Sequence, residues 1–135
     1  SIEHLTEFFG SDKLEEIANA IKKFLKLASS DVQVVVPWGV GHPFHIFVRD
    51  VIEKAVKKPL WYYRDFPHSY KKRALNQVKL QLEDFELLSS IPVAEFNDVK
   101  WDLAKKFYKS QSGLLWFEQG YIQKQLPEEV YVRKS

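Results

Sequence analysis

Apolar residues recur at helical spacing through Leu14, Ile17, Ala18, Ile21, Phe24, Leu25 and Ala28, which predicts a helix over Lys13–Leu27 with one apolar stripe. Asp12 and Glu15 stand like a capping box at its start. Ser29, Ser30 and Asp31 break the period. The following Val32–Val36 run is β-branched except for Gln33, the pattern of a strand buried on both faces, and it is expected as a central parallel strand.

Pro37-Trp38-Gly39-Val40-Gly41 then reads as a loop whose glycines permit close backbone approach, and Pro43 opens a helix from its first position. On that helix Phe44, Val48, Val51, Ile52, Ala55 and Val56 share a face, while Arg49, Glu53, Lys54 and Lys57 lie off it. Pro59 ends the helix, and Leu60–Tyr63 forms a second short strand, completing a β-loop-α-β unit. Further on, Leu75, Val78, Leu82, Phe85 and Leu88 predict a third helix over Lys71–Ser89. A fourth is expected over Val99–Ser110, and Glu129–Val132 reads as an edge strand. These elements define an α/β fold with a short, mostly parallel sheet packed by helices, as one domain over 1–135.

Composition narrows the function more than the fold. With 135 residues, 45% of them hydrophobic, the chain can bury one sizeable core. Lysine and arginine exceed the acidic residues by only two, 20 against 18, without a long basic block, so no nucleic-acid partner is implied. The dense basic cluster Lys71-Lys72-Arg73 reads as the solvated start of a helix. No apolar run approaches a membrane span, Ser1–Gly10 lacks the pattern of a signal peptide, and the chain is expected to be soluble, with the cytoplasm the favoured compartment. Without cysteine, any metal must be held by histidine and carboxylate. The chain also lacks methionine, so its Ser1 start fits either methionine removal or a longer chain.

Candidate chemistry concentrates at the strand ends. His42 and His45 stand three apart where the first strand passes into a helix, the sheet edge at which open α/β folds bind ligands. That spacing suits a metal ligand beside a neighbouring acid or oxyanion donor, and equally suits polar residues at a helix start. Asp65 and His68 follow the second strand at the same edge, either facing the same cleft or lying on a surface loop. Trp38, Trp61, Tyr62 and Tyr63 could line a sugar-binding cleft or fill the core.

Four stretches in order carry a resemblance. Pro37-Trp38-Gly39-Val40-Gly41-His42-Pro43-Phe44-His45 is similar to the second signature of the PIG-L/LmbE-like zinc-dependent N-acetylglucosaminyl deacetylases, a glycine loop followed by His-Pro-Asp-His. Pro59-Leu60-Trp61-Tyr62-Tyr63-Arg64-Asp65-Phe66-Pro67 resembles that family's aromatic strand ending in Tyr-Glu-Asp-x-Pro. Tyr108-Lys109-Ser110-Gln111 resembles its Tyr-x-Ser-Gln helix, and Pro127-Glu128-Glu129-Val130-Tyr131 its closing Pro-Glu-x-aromatic element.

The resemblance implies the C-terminal half of a Rossmann-like layered fold acting on an N-acetylated sugar or similar small amide. It implies that His45 is a zinc ligand and that His42 stabilises the tetrahedral intermediate or protonates the leaving amine. Zinc would polarise the acetyl carbonyl and lower the pKa of its bound water. Trp38, Asp65 and His68 are the expected substrate contacts.

Two departures qualify what this chain can do. Nothing between Ser1 and Asp31 resembles the family's His-Pro-Asp-Asp-Glu signature, which supplies the other zinc ligands and the general base. One histidine cannot hold a catalytic zinc, so the chain alone is expected to be inactive and to need a missing N-terminal half or partner subunit. Phe44 replaces an aspartate that orients the family's site and is expected to pack instead. The alternative reading is a diverged, non-catalytic interaction or sugar-binding module.

Overall fold

A computed structural model describes residues 2–65, 68–91, 99, 102, 103, 106 and 127–135. The chain begins with two helices, α1 (Ile2–Phe9) and α2 (Ser11–Leu27), split at Gly10. Gly10 stands at φ 79°, a left-handed conformation that costs a side-chain-bearing residue, and it caps α2 without a side-chain bond. The expected capping box is therefore not formed, because Asp12 already lies in the first turn of the helix. Leu5 and Leu14 are buried, while Phe24, expected on the apolar stripe, is exposed.

The β-loop-α-β unit is present. Strand β1 (Val35–Pro37) leads to α3 (Pro43–Ala55) and then to β2 (Trp61–Tyr63), which pairs parallel to β1 with Val36 opposite Tyr62. Pro43 sits at the first helical position as expected. The chain then makes two short 3-10 turns, His68–Tyr70 and Lys72–Ala74, before α4 (Leu75–Asp84), β3 (Phe85–Ile91) and β4 (Glu128–Arg133).

The described sheet runs in the order β1-β2-β4-β3, with the β2–β4 and β3–β4 pairings antiparallel. It is thus a small mixed sheet, not a mostly parallel one. β1 lies at its edge, not its centre, with Val35 about half exposed. The expected strand also shrinks at its start, where side chains take the carbonyls of Ser30 and Val32 and share that of Val34 with the Trp61 N–H. Lys58 Nζ donates to Ser30 O and Val32 O, and Gln33 Nε2 donates to Val34 O and Pro59 O. Conversely, the tail strand β4 is not an edge strand but lies between β2 and β3.

The helix expected over Lys71–Ser89 stops at Asp84. Leu75, Val78, Leu82 and Phe85 satisfy a helical period, yet the chain gains more by extending from Phe85 along β4, with a bulge between Leu87 and Ser89. Phe85 still enters the core, and Leu88, the last residue of the expected stripe, is exposed. The helix expected over Val99–Ser110 and the Tyr108–Gln111 motif fall largely outside the described residues.

The main core holds Val36, Trp38, Val40, Leu60, Tyr62, Ala74, Val78, Phe85 and Tyr131, flanked by Val34, Ile52 and Val56. Trp38 is stacked on Tyr131, with ring centroids 4.4 Å apart, and meets the edge of Phe85 at 5.9 Å. No described helix is long and apolar enough to cross a membrane.

Candidate functional site

The site is built by two loops that leave the same ends of the parallel strands. After β1, Trp38 N–H donates to Tyr63 O at 2.8 Å, and the loop then turns through Gly39 and Gly41, both near φ +80°. A Cβ on Gly41 would come within 2.6 Å of His68 O. Only glycine lets the first loop press against the backbone that carries His68.

After β2, Asp65 organises both loops. Its side chain has no exposed surface; Oδ2 accepts the Gly39 N–H at 2.7 Å and the Val40 N–H at 3.0 Å, and Oδ1 lies 2.9 Å from His45 Nδ1. The Asp65 carbonyl accepts from Ser69 N and Ser69 Oγ, folding the turn that presents His68. Arg64 supports that turn through Ser69 Oγ, Glu129 and the face of Tyr70. On the other side, Arg49 donates to Trp38 O and Gln77 Oε1 accepts the Gly41 N–H, tying the glycine loop to α3 and α4.

This scaffold brings three imidazoles together. Ring centroids lie 4.7 Å apart for His42–His45, 4.5 Å for His42–His68 and 5.2 Å for His45–His68. The carboxylate of Asp65 can only accept, so His45 Nδ1 carries the hydrogen and Nε2 keeps a lone pair for a ligand. His42 caps α3 without a side-chain capping bond, and its Nδ1 is buried with no partner among the described residues.

Burial disfavours the charged form of the other two rings. Burial, reinforced by His45 and Lys71, lowers the pKa of His42. Burial, followed by His42, Lys71 and His45, lowers that of His68 to about 3. Since the unfolded chain takes up a proton near pH 6.5 that folded His68 refuses, this residue's stabilisation is complete above pH 6.5 and lost progressively as pH falls toward 3. Urea denaturation in the presence of a chelator should show stability falling between pH 6.5 and pH 4 by roughly 1 kcal/mol per unit or less, since His68 keeps some solvent contact. His68→Gln should flatten that slope.

The expected site residues thus divide. His42, His45 and His68 meet at one point, and Asp65 joins them from beneath as the buried support of His45. Trp38 has no exposed surface and packs in the core, so neither it nor Asp65 offers a ligand a face. Phe44 packs among aromatic rings, 6.0 Å from both Phe9 and Phe47. Arg49 and Gln77, which brace the glycine loop, carried no signal in the sequence beyond being polar on amphipathic helices.

The smaller of two described cavities, about 110 Å³, lies against the glycine loop, lined by Gly39, Val40, Ile46, Arg49 and Gln77. The larger, about 440 Å³, is lined by residues preceding β2 together with Glu53, Tyr62 and Arg133. There Glu53 and Arg133 already pair with each other at 2.5 Å. Among the described residues, no group of three or more histidine, aspartate or glutamate side chains is arranged to hold a metal ion. These residues by themselves therefore do not fit a complete zinc site.

No family model, curated protein or solved structure matches the chain.

Proposed function

We propose that this chain is the C-terminal half of a zinc-dependent deacetylase acting on an N-acetylated sugar, completed by a segment or subunit that carries the remaining zinc ligands and the general base. The observation that carries the reading is the buried Asp65–His45 pair, with His42 against it, at the carboxyl ends of the parallel strands. A buried carboxylate fixing the tautomer of an imidazole is the usual support of a histidine metal ligand. It is also the pairing expected if the glycine-loop motif and the aromatic-strand motif belong to one site.

In this reading His45 contributes Nε2 to the zinc, and the other ligands come from the companion. His42 hydrogen-bonds the acetyl-derived oxygen or the leaving amine. The outer edge of β1, which bears no strand among the described residues, is where the companion's strand would pair. His42→Ala in the assembled protein should retain zinc while lowering acetate release from an N-acetylglucosamine substrate by about 10²-fold or more. Loss of zinc in that variant, or an unchanged rate, would contradict the assignment.

Phe44 favours a second reading. Its place in an aromatic cluster, where the family has an aspartate, suits a diverged member that keeps the fold as a sugar-binding or interaction module.

A further inference from the structure

We propose that the cavity at the end of the sheet away from the histidines binds a small carboxylate with an apolar body, held at the mouth by Lys57 and Lys58. This site is independent of the deacetylase reading.

The connection from α3 to β2 builds the cavity. α3 ends at Ala55, and residues 56–60 bring the chain back to the start of β2, whereas the histidine loops leave the other ends of β1 and β2. Between this connection and the end of β4 lies a space of about 440 Å³, inside the roughly 300–1,000 Å³ of small-molecule sites. Val56, Pro59, Leu60, Tyr62 and Val132 give it apolar walls.

The cavity's carboxylate is already engaged. Glu53 Oε1 accepts from Tyr62 OH at 2.8 Å and from Arg133 Nε and Nη2 at 3.1 and 2.5 Å. Arg133 is held in turn over the Phe85 ring, 4.6 Å from its centroid. Glu53 and Lys57 stand four apart, the spacing at which a helix ordinarily pairs glutamate with lysine. Here α3 ends between them, Glu53 turns to Arg133 instead, and Lys57 stays exposed. Lys58 is half-buried, and its Nζ donates to the Ser30 and Val32 carbonyls. Among the described residues no ion pair joins either lysine to a carboxylate.

Three cations and one carboxylate therefore line the cavity, and the carboxylate is committed to one of the three. The last carbonyls of α3 are the other groups these lysines could complement. Lys58 reaches past them to the Ser30 and Val32 carbonyls, which fixes an ammonium beside the apolar walls. A ligand carboxylate at the mouth meets the two lysines, and its body displaces water from the walls. A neutral ligand leaves that charge unmatched, and an amine adds a like charge to it.

The test is an NMR titration of the full chain with phenylpropanoate, and with phenylpropanamide and phenylpropylamine as neutral and cationic probes of similar shape. Saturable phenylpropanoate binding that shifts the Val56, Lys57, Leu60 and Val132 amides, and leaves the His42, His45 and His68 rings unmoved, is expected. The amide and the amine should bind about fivefold or more weakly. Lys57→Glu, at an exposed position, should weaken phenylpropanoate about fivefold or more, whereas Lys79→Glu, an equal change of net charge away from the cavity, should change it by no more than about twofold. Val132→Phe, which fills the space from β4, should remove binding while thermal unfolding stays cooperative. The proposal is overturned if phenylpropanoate does not saturate, if the amide or the amine binds as tightly, if the shifts fall on the histidine rings, or if Lys79→Glu loses as much as Lys57→Glu.

Discussion

Replacing Asp65 with alanine is expected to cost about 3–5 kcal/mol of folding stability, among the largest losses available to a single substitution here. The side chain is fully buried, and its removal leaves the Gly39 and Val40 N–H groups without an acceptor while freeing His45. The glycine loop and the His68 turn should lose their common support together. Asp65→Asn separates the structural role from the chemical one. Its single carbonyl oxygen can still face the two amides, but its NH₂ then meets His45 Nδ1 and forces that nitrogen to accept. The hydrogen moves to Nε2, and the lone pair offered to a ligand disappears. Denaturant titration should show Asp65→Asn closer to native than Asp65→Ala, and imidazole ¹⁵N shifts should report the reversed tautomer. A native tautomer in Asp65→Asn would contradict the role given to Asp65.

Trp38→Ala should be comparably severe, about 3–5 kcal/mol, because it empties the centre of the core between Tyr131 and Phe85. The same variant decides how the aromatic loop residue is used. A residue lining a sugar cleft would lose ligand affinity with little effect on folding; a core residue loses stability first. Equilibrium urea unfolding with less than about 1 kcal/mol lost would return Trp38 to the surface.

The local part of the fold was legible where one physical signal dominated. The span of α2, Pro43 at the start of α3 and the Leu60–Tyr63 run read through, because periodicity and proline geometry act over a few residues, although Phe24 of the expected stripe is exposed. The errors share a cause in long-range pairing. Phe85 fits both a helical stripe and a strand, and only its pairing with Arg133 on β4, from the far end of the chain, decides between them. Val32 looks like a strand residue until Lys58 occupies its carbonyl. The position of β4 inside the sheet is a property of topology that its own residues do not encode.

The site shows the same division. His42 and His45 stood out at the start of a helix after the first strand, and Asp65 and His68, following the second strand, read as facing the same cleft or lying on a surface loop. What the sequence left open was how each would act. Asp65 became a buried support because two loop amides and an imidazole converge on it, a three-dimensional coincidence that no spacing specifies. His68 joined the other rings because Gly41 has no Cβ to hold its turn away.

Zinc content is the most direct test of the central claim. The protein would be purified from its source with whatever chain or subunit accompanies it, and zinc measured in the native form and in His45→Ala. The account predicts about one zinc per assembled site in the native protein and none retained after His45→Ala. Unchanged zinc in His45→Ala, or a metal-free native assembly, would contradict it.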